Sequence, residues 1–153
     1  MPIEAVGEQG KGIFGDWYVN LTILQRQHFL LLVSEKTLLP VLMSAKNITS
    51  FPLQFPAALT AILTAIKIPD EKIRTETQTL NQWRFAKTAS RQVLGSMNDF
   101  VNMFEADMED ERPLVHRALR LGISPCSPIG MNNPLDVTAI AFGEKLSINF
   151  FDL

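Results

Sequence analysis

The sequence predicts an α+β fold in which an N-terminal antiparallel hairpin or small sheet packs against four to five helices. Two observations predict it: apolar and polar residues alternate near residue 20, and apolar residues recur at three- and four-residue spacing after residue 50. The chain has 153 residues, of which 46% are hydrophobic and 20% charged. This composition is typical of a globular domain and excludes a fibrous or wholly disordered chain.

The predicted sheet lies between residues 16 and 43. Side chains of its first strand alternate in direction, and its apolar face is predicted to consist of Trp17, Val19, Leu21 and Ile23. After a polar break, the apolar run from His28 to Val33 predicts a second strand that pairs with the first as a hairpin. Residues 37–43 fit a third strand or a short helix, and Pro40 favours an edge position.

Two helices and a short strand are predicted next. The first helix begins near Ser50, and its buried face is predicted to comprise Leu59, Ile62, Leu63 and Ile66. Residues 69–80 are predicted to form a second helix, because acidic residues at its start favour a helix N-terminus. This helix is mostly polar. Alternation at residues 82–87 predicts the strand.

A long helix is predicted after Thr88 and Ser90, whose hydroxyl groups can cap its first turn. Its buried stripe is predicted to comprise Val93, Leu94, Met97, Phe100, Val101 and Phe104. Gly95 lies inside this helix at a cost of about 1 kcal/mol relative to alanine, which predicts that another backbone approaches there. Pro113 and Pro134 mark the starts of two further helices.

The first fifteen residues are rich in glycine and polar side chains, and they are predicted to form a flexible arm that is dispensable for folding. Residues 16–153 are predicted to form a single α+β domain. The N-terminus lacks the apolar core of a signal peptide, and the apolar stretch at residues 51–68 is too interrupted to span a bilayer. With Cys126 as the lone cysteine, these features predict a cytoplasmic protein that does not contact membranes.

The string TASRQVLGSMND at residues 88–99 resembles a signature, T-x-N-R-S-V-L-G-S-M-N-D, of an uncharacterised bacterial family of single-domain proteins. The loop Pro125-Cys126-Ser127-Pro128 is similar to a proline-rich loop of the same family, and the likeness spans roughly residues 16–142. Ser90 and Gln92 depart from the signature, at positions where asparagine and serine are usual. The resemblance implies a domain of unknown function and supplies no chemistry.

Three polar residues of this string, Arg91, Asn98 and Asp99, form the first candidate binding surface. Arg91 and Asn98 are seven residues apart and are predicted to share a helix face, with Asp99 about 100° further round. Arg91 suits an anion or a partner carboxylate. The alternative is that these side chains only anchor neighbouring segments.

The acidic run at residues 105–111 forms a second candidate surface, which comprises Glu105, Asp107, Glu109 and Asp110. It suits a basic partner, and the alternative is a solvated helix end. No catalytic constellation is predicted, since nothing in the sequence places His28 or His116 near a nucleophile. Neither a metal nor a cofactor is predicted, because no ligand spacing or phosphate-binding glycine motif is present.

A third candidate surface is the basic strip between Lys67 and Arg91, where Trp83 and Phe85 lie among basic residues. This composition suits a surface on which single-stranded nucleic acid stacks, and equally an amphipathic strand. The net charge of −2 provides no general surplus for phosphate backbones.

These observations lead to three hypotheses about function. The first is a small non-enzymatic bacterial module that binds another protein or regulates it, with a link to mobile elements or to phage defence and counter-defence. The second is an enzyme or ligand-binding domain with a pocket around Arg91, Asn98 and Asp99. The third is a nucleic-acid binder that uses the basic strip. The sequence predicts neither the oligomeric state nor the partner.

Overall fold

A computed structural model describes residues 3–6, 12–46, 48–80, 84–87, 90–149 and 153, with the backbone alone at residues 3–6, 48 and 84–87. Within these residues the strands are β1 (Ile3–Val6), β2 (Trp17–Leu24), β3 (Gln27–Ser34), β4 (Pro40–Ser44) and β5 (Arg84–Lys87). The helices are α1 (Phe51–Ala65), α2 (Asp70–Gln78), α3 (Arg91–Ala106), α4 (Leu114–Gly122) and α5 (Pro134–Ala141). Short 3-10 turns lie at Ile48–Ser50 and Ser127–Ile129.

The strands of the described chain form one antiparallel sheet in the order β4-β3-β2-β1-β5. Consecutive strands β2, β3 and β4 are neighbours, so the side of the sheet that ends at β4 is a simple meander. β1 lies between β2 and β5, with Ile3 opposite both Val19 and Lys87. The predicted α+β class, with a small N-terminal sheet against four to five helices, is confirmed.

Helices cover both faces of this sheet. The ring of Trp17 in β2 lies 4.9 Å from that of Phe55 in α1. The ring of Phe29 in β3 lies 5.2 Å from that of Phe104 in α3. Phe29 pairs with Thr22, an even-numbered position of β2, so it lies on the face opposite to that of Trp17. The core therefore has two layers, with α1 on one face and α3 on the other.

The predicted apolar face of β2 is wrong along the second half of the strand. Leu21 and Ile23 are 46% and 60% exposed, whereas Thr22 and Leu24 are buried. At the start of β2, side chains on both faces of the strand are buried. Beyond Val19, only the face on which Phe29 and α3 lie remains buried. The alternation was correct, yet the position of the helices decides which of its two faces is buried.

The β2–β3 hairpin is confirmed, and its turn consists of two residues without glycine or asparagine. Gln25 and Arg26 have φ values of 50° and 65°, both in the left-handed region. Two-residue turns with positive φ at both positions match the right-handed twist of the flanking strands. These residues satisfy the geometry of the turn at a steric cost of about 1–2 kcal/mol each.

The strand alternative for residues 37–43 is confirmed, because β4 begins at Pro40 and forms an edge of the sheet. Proline is tolerated there since an edge residue needs no amide donor. α4 packs along β4 and covers this edge. The predicted buried face of α1 is confirmed, and α2 is mostly polar with Ile73 buried.

The structure differs from the expected N-terminal arm. Residues 3–6 form β1 inside the sheet, and Phe14 is buried with its ring 5.0 Å from that of Trp17. A strand of four residues that a glycine-rich segment follows is too short for its periodicity to be recognised. The parts of the expected arm at residues 1–2 and 7–11 lie outside the described residues.

The N-terminus of α3 is capped as predicted, since the Ser90 hydroxyl accepts a 3.3 Å hydrogen bond from the Val93 amide. Thr88 lies outside the described residues. The close approach expected at Gly95 is wrong, because a Cβ placed there meets nothing within 4 Å. Close packing occurs instead at Gly122 of α4, where a Cβ would lie 2.7 Å from the Leu135 Cδ2 atom.

Candidate functional site

A groove of about 590 Å³ separates the outer face of α3 from the loop that follows α4. It brings residues 91–99, the part of the string TASRQVLGSMND that lies in α3, next to the proline-rich loop at residues 125–128, although about 26 residues separate them in sequence. The α3 wall consists of Arg91, Gln92, Gly95, Ser96 and Asp99. The loop wall consists of Pro125, Cys126, Ser127, Pro128 and Met131.

The loop wall is fixed by its own backbone hydrogen bonds. Cys126 and Asn132 form an isolated antiparallel bridge in which the Cys126 amide donates to the Asn132 carbonyl at 3.0 Å. The Met131 amide donates to the Cys126 carbonyl at 2.9 Å. Gly130 and Met131 adopt left-handed φ values of 68° and 62°, which turn the chain back on itself. This loop therefore presents a preformed surface to α3.

On the α3 wall, Arg91, Gly95 and Asp99 are four residues apart and lie along one edge of the groove. All three are exposed. No ion pair joins Arg91 or Asp99 to another residue of the described part of the chain. The helix therefore presents one cation, one anion and a gap without a side chain between them.

Arg91 and Asn98 were predicted to share a helix face, but only Arg91 of the two lines the groove. Asn98 is exposed, but it lies outside the groove lining, whereas Asp99 is part of it. The position of the loop decides this, since it lies on the Asp99 side of α3. Sequence reasoning also missed Gly95 and Met131 as parts of the lining, and only the proline-rich string signalled the loop wall.

Cys126 forms the floor of the groove as a protonated thiol. It is 8% exposed, and its Sγ atom donates to the Ser124 carbonyl at 3.6 Å. Burial raises the pKa of the Cys126 thiol, and the negative charge of Asp99 raises it further. A thiol with a raised pKa is a poor nucleophile, so this groove lacks an activated cysteine.

The acidic run is partly neutralised by neighbouring arginines. Asp110 accepts hydrogen bonds from the Arg112 amide at 3.0 Å and from its guanidinium Nη2 at 2.8 Å. These bonds hold the pKa of the Asp110 carboxyl well below its usual range. Asp107 lies 3.7 Å from Arg120, while Glu105 and Glu109 are exposed. The run therefore presents fewer free charges than its sequence indicates.

A further cavity, of about 660 Å³, lies between the β2–β3 turn and the connection from α3 to α4. Arg117 lines it, 8% exposed, with its guanidinium carbon 4.1 Å above the centre of the Phe104 ring. Its Nη2 donates to the Asp107 carbonyl at 3.1 Å, which ties the end of α3 to α4. Burial lowers the pKa of this guanidinium, and the arginine acts as a structural link between the two helices.

The structure describes the side chains of four basic residues of the strip between Lys67 and Arg91, namely Lys67, Lys72, Arg74 and Arg91. Lys72 pairs with Glu144 at 2.7 Å and donates to the Phe142 carbonyl at 2.7 Å. Lys67 and Arg74 are exposed. Trp83 and the side chain of Phe85, on which the stacking hypothesis rests, lie outside the described residues.

Among the described residues, no group of three or more His, Cys, Asp or Glu side chains is arranged to hold a metal ion. His28 is exposed at the start of β3 and His116 is half-buried on α4, and neither lines the groove. No helix in this part of the chain has the length and apolarity to cross a membrane.

A family model for a domain of unknown function (DUF6933) matches residues 1–137. The chain belongs to this family. DUF6933 covers the sheet, α1 to α4 and both walls of the groove, and the match ends within α5. No curated protein and no solved structure is significantly similar to the chain. The resemblance to an uncharacterised family is thus confirmed, while the signature string itself stays an expectation.

Proposed function

We propose that this DUF6933 chain is a non-enzymatic protein-interaction domain, and that its partner binds in the groove between α3 and the loop at residues 125–131. One observation carries the proposal. Arg91 and Asp99 are exposed on the groove wall without an ion pair to any other described residue, on either side of the open position Gly95. Charged groups without internal partners are available to a second molecule.

The chemistry of the groove supports binding rather than catalysis. Cys126 is buried with a raised pKa, and neither histidine lines the groove. Acid–base or nucleophilic catalysis needs an ionisable group whose pKa is matched to its task and which lies within hydrogen-bond reach of the substrate. A preformed loop opposite a rigid helix suits recognition of another surface.

The test blocks the groove without disturbing the fold. A side chain at position 95 has open space around its Cβ, so Gly95→Phe should fill the groove and leave stability nearly unchanged. Asn98→Phe is the matched control, since Asn98 is exposed on the same helix outside the lining. Each variant and the unaltered chain are used to capture proteins from a lysate of the source cells, and the captured proteins are quantified by mass spectrometry.

We expect Gly95→Phe to lose specific proteins that Asn98→Phe retains. Equal captured sets for all three chains, with unchanged melting temperatures, would show that the groove is not the contact surface. Replacement of Glu105 and Glu109 by glutamine in the same assay tests the acidic run as the contact surface. A gel shift at low and high salt tests nucleic-acid binding, which should fall steeply with salt if the basic strip binds phosphates.

The wider setting is part of the same proposal. We propose that the domain acts in the cytoplasm of bacteria, in a role linked to mobile elements or to phage defence and counter-defence. This rests on analogy at the level of the family. Plating efficiency of phages on cells with and without the chain, and with Gly95→Phe, tests it: equal efficiencies across a broad phage panel would contradict the link.

A further inference from the structure

Strand β2 has a neighbouring strand on both sides only along its first half. β3 pairs with it along its whole length, whereas β1 pairs with it no further than Val19, which lies opposite Ile3. Among the described residues, no strand lies beside residues 20–24 on the β1 side. This segment is therefore a free edge of the sheet, which we call the β2 edge. It shares no residue with the groove.

The β2 edge presents backbone groups that no described residue uses. In a hairpin with a two-residue turn, the residues that flank the turn hydrogen-bond to each other, and alternate residues of each strand point their amide and carbonyl groups outward. Leu24 and Gln27 flank this turn, so Leu21 and Ile23 point theirs away from β3. No described residue hydrogen-bonds to them there, and their side chains are 46% and 60% exposed. The edge thus offers hydrogen-bonding groups and apolar side chains to a further strand.

The residues of the β2 edge suit pairing with an identical strand. Natural edge strands carry charges or prolines that prevent pairing, but β2 contains neither. Two copies of this edge therefore meet without repulsion between like charges. Thr22, between the two exposed residues, has a buried hydroxyl oxygen that lacks a hydrogen-bond partner among the described residues. A second Thr22 is a suitable partner, because threonines directly opposite each other on neighbouring strands form hydrogen bonds.

We propose that the β2 edge pairs antiparallel with the β2 edge of a second copy of this chain, about a two-fold axis at Thr22. In this register Leu21 lies opposite Ile23 of the second copy, and the two Thr22 residues lie opposite each other. The exposed apolar side chains meet on one face of the joined sheets, and the hydroxyl groups meet on the other. The strand of the second copy ends with its Leu24 opposite Asn20, the last position before β1. The length of the free edge therefore matches this occupant.

A five-residue edge gives a small interface, so the dimer forms at high chain concentration. Interfaces that bury less than about 1,200 Å² belong to weak and transient complexes. Sedimentation equilibrium should show a monomer of 17.1 kDa at about 10 µM and a rise towards twice that mass at about 1 mM. A chain that stays monomeric at the highest concentration would overturn the proposed dimer.

Two matched variants test whether the β2 edge is the interface. Ile23→Lys places a charge among the apolar side chains of the edge and should weaken dimerisation at least about tenfold. The control is Ile140→Lys on α5, which replaces an isoleucine of similar exposure, 65%, and should leave dimerisation unchanged. Both isoleucines are exposed, so the melting temperatures should stay near that of the unaltered chain. Equal dimerisation of the two variants would contradict an interface at the β2 edge.

Disulfide cross-linking in a Cys126→Ser background tests the register. Residues directly opposite each other on antiparallel strands lie within disulfide range, whereas diagonal neighbours are about 7–8 Å apart. A mixture of Leu21→Cys and Ile23→Cys chains should therefore form cross-linked dimers at least about tenfold faster than either variant alone. Faster cross-linking of one variant alone would place the axis at that residue and overturn the proposed register.

Hydrogen exchange at the amides of Leu21 and Ile23 tests what occupies the edge. We expect both amides to exchange more slowly as the chain concentration rises, because pairing with a second copy protects them. Protection that is independent of concentration would show that the chain itself covers the edge. Rapid exchange at every concentration would show that the edge stays free. Either of these results would overturn the proposed dimer.

Discussion

Gly95 and Gly122 are both helical glycines, yet their surroundings are opposite. A Cβ at Gly95 meets open space, whereas one at Gly122 would lie 2.7 Å from Leu135 Cδ2. Gly95→Ala should therefore raise the free energy of unfolding by about 0.5–1 kcal/mol, because alanine loses less backbone entropy in a helix. Gly122→Ala should lower it by about 1–3 kcal/mol through overpacking. Urea denaturation of both variants checks this pair, and a destabilised Gly95→Ala would contradict the open position.

Asp110 makes the stability of the chain depend on acid pH. Because bonds from Arg112 lower the pKa of this carboxyl in the folded state, its ionised form stabilises the fold above the ordinary aspartate pKa of about 3.9. That contribution is lost as the pH falls below about 4. Asp110→Asn should lower the urea midpoint at neutral pH and flatten its fall on acidification. Glu109→Gln, an exposed neighbour, is the control and should leave both unchanged.

At the scale of elements, the β2–β3 turn is a place where substitution can raise the stability of the fold. Gln25 and Arg26 both have positive φ, which costs each residue about 1–2 kcal/mol. Asn-Gly is the favoured pair for such a turn. Replacing Gln25 and Arg26 by Asn-Gly should raise the free energy of unfolding by about 1–2 kcal/mol. Thermal denaturation measures this, and a melting temperature equal to that of the unaltered chain would show that the turn is unstrained.

The position of β1 makes the N-terminal residues part of the sheet. Ile3–Val6 joins β2 to β5, so its removal leaves both neighbours without a partner on that side. Deleting residues 1–6 should lower the melting temperature by roughly 5 °C, which corresponds to about 2 kcal/mol for a chain of this size. This is opposite to the sequence expectation of a dispensable arm. An unchanged melting temperature would restore that expectation.

At the scale of the whole molecule, local patterns predicted the elements and long-range packing decided their surroundings. The α1 face, the Ser90 cap and the hairpin depend on neighbours within a few residues, and the sequence shows them directly. The exposure of Leu21 and of Gly95 depends on where distant helices and loops lie. Single-sequence periodicity carries no information about that placement.

The candidate site follows the same division. The polar residues of α3 and the loop at residues 125–128 were each visible in the sequence, but their meeting in one groove was not. The choice of Asp99 over Asn98 as a groove residue follows from the side on which the loop lies. The sequence did not indicate a role for Arg117 either. Its guanidinium lies over the Phe104 ring of another helix, and this contact depends on how α3 and α4 pack together.

The sheet order has a consequence for the kinetics of folding. β2, β3 and β4 are joined by short connections, so their pairing closes small loops and forms early. Pairing of Ile3 with Lys87 closes a loop of more than half of the chain and therefore forms late. α3 begins just after β5, so the start of α3, which is one wall of the groove, is held in place only when β5 pairs late in folding. Amide hydrogens of β1 and β5 should accordingly exchange faster than those of β3, and a partner bound to α3 should slow them.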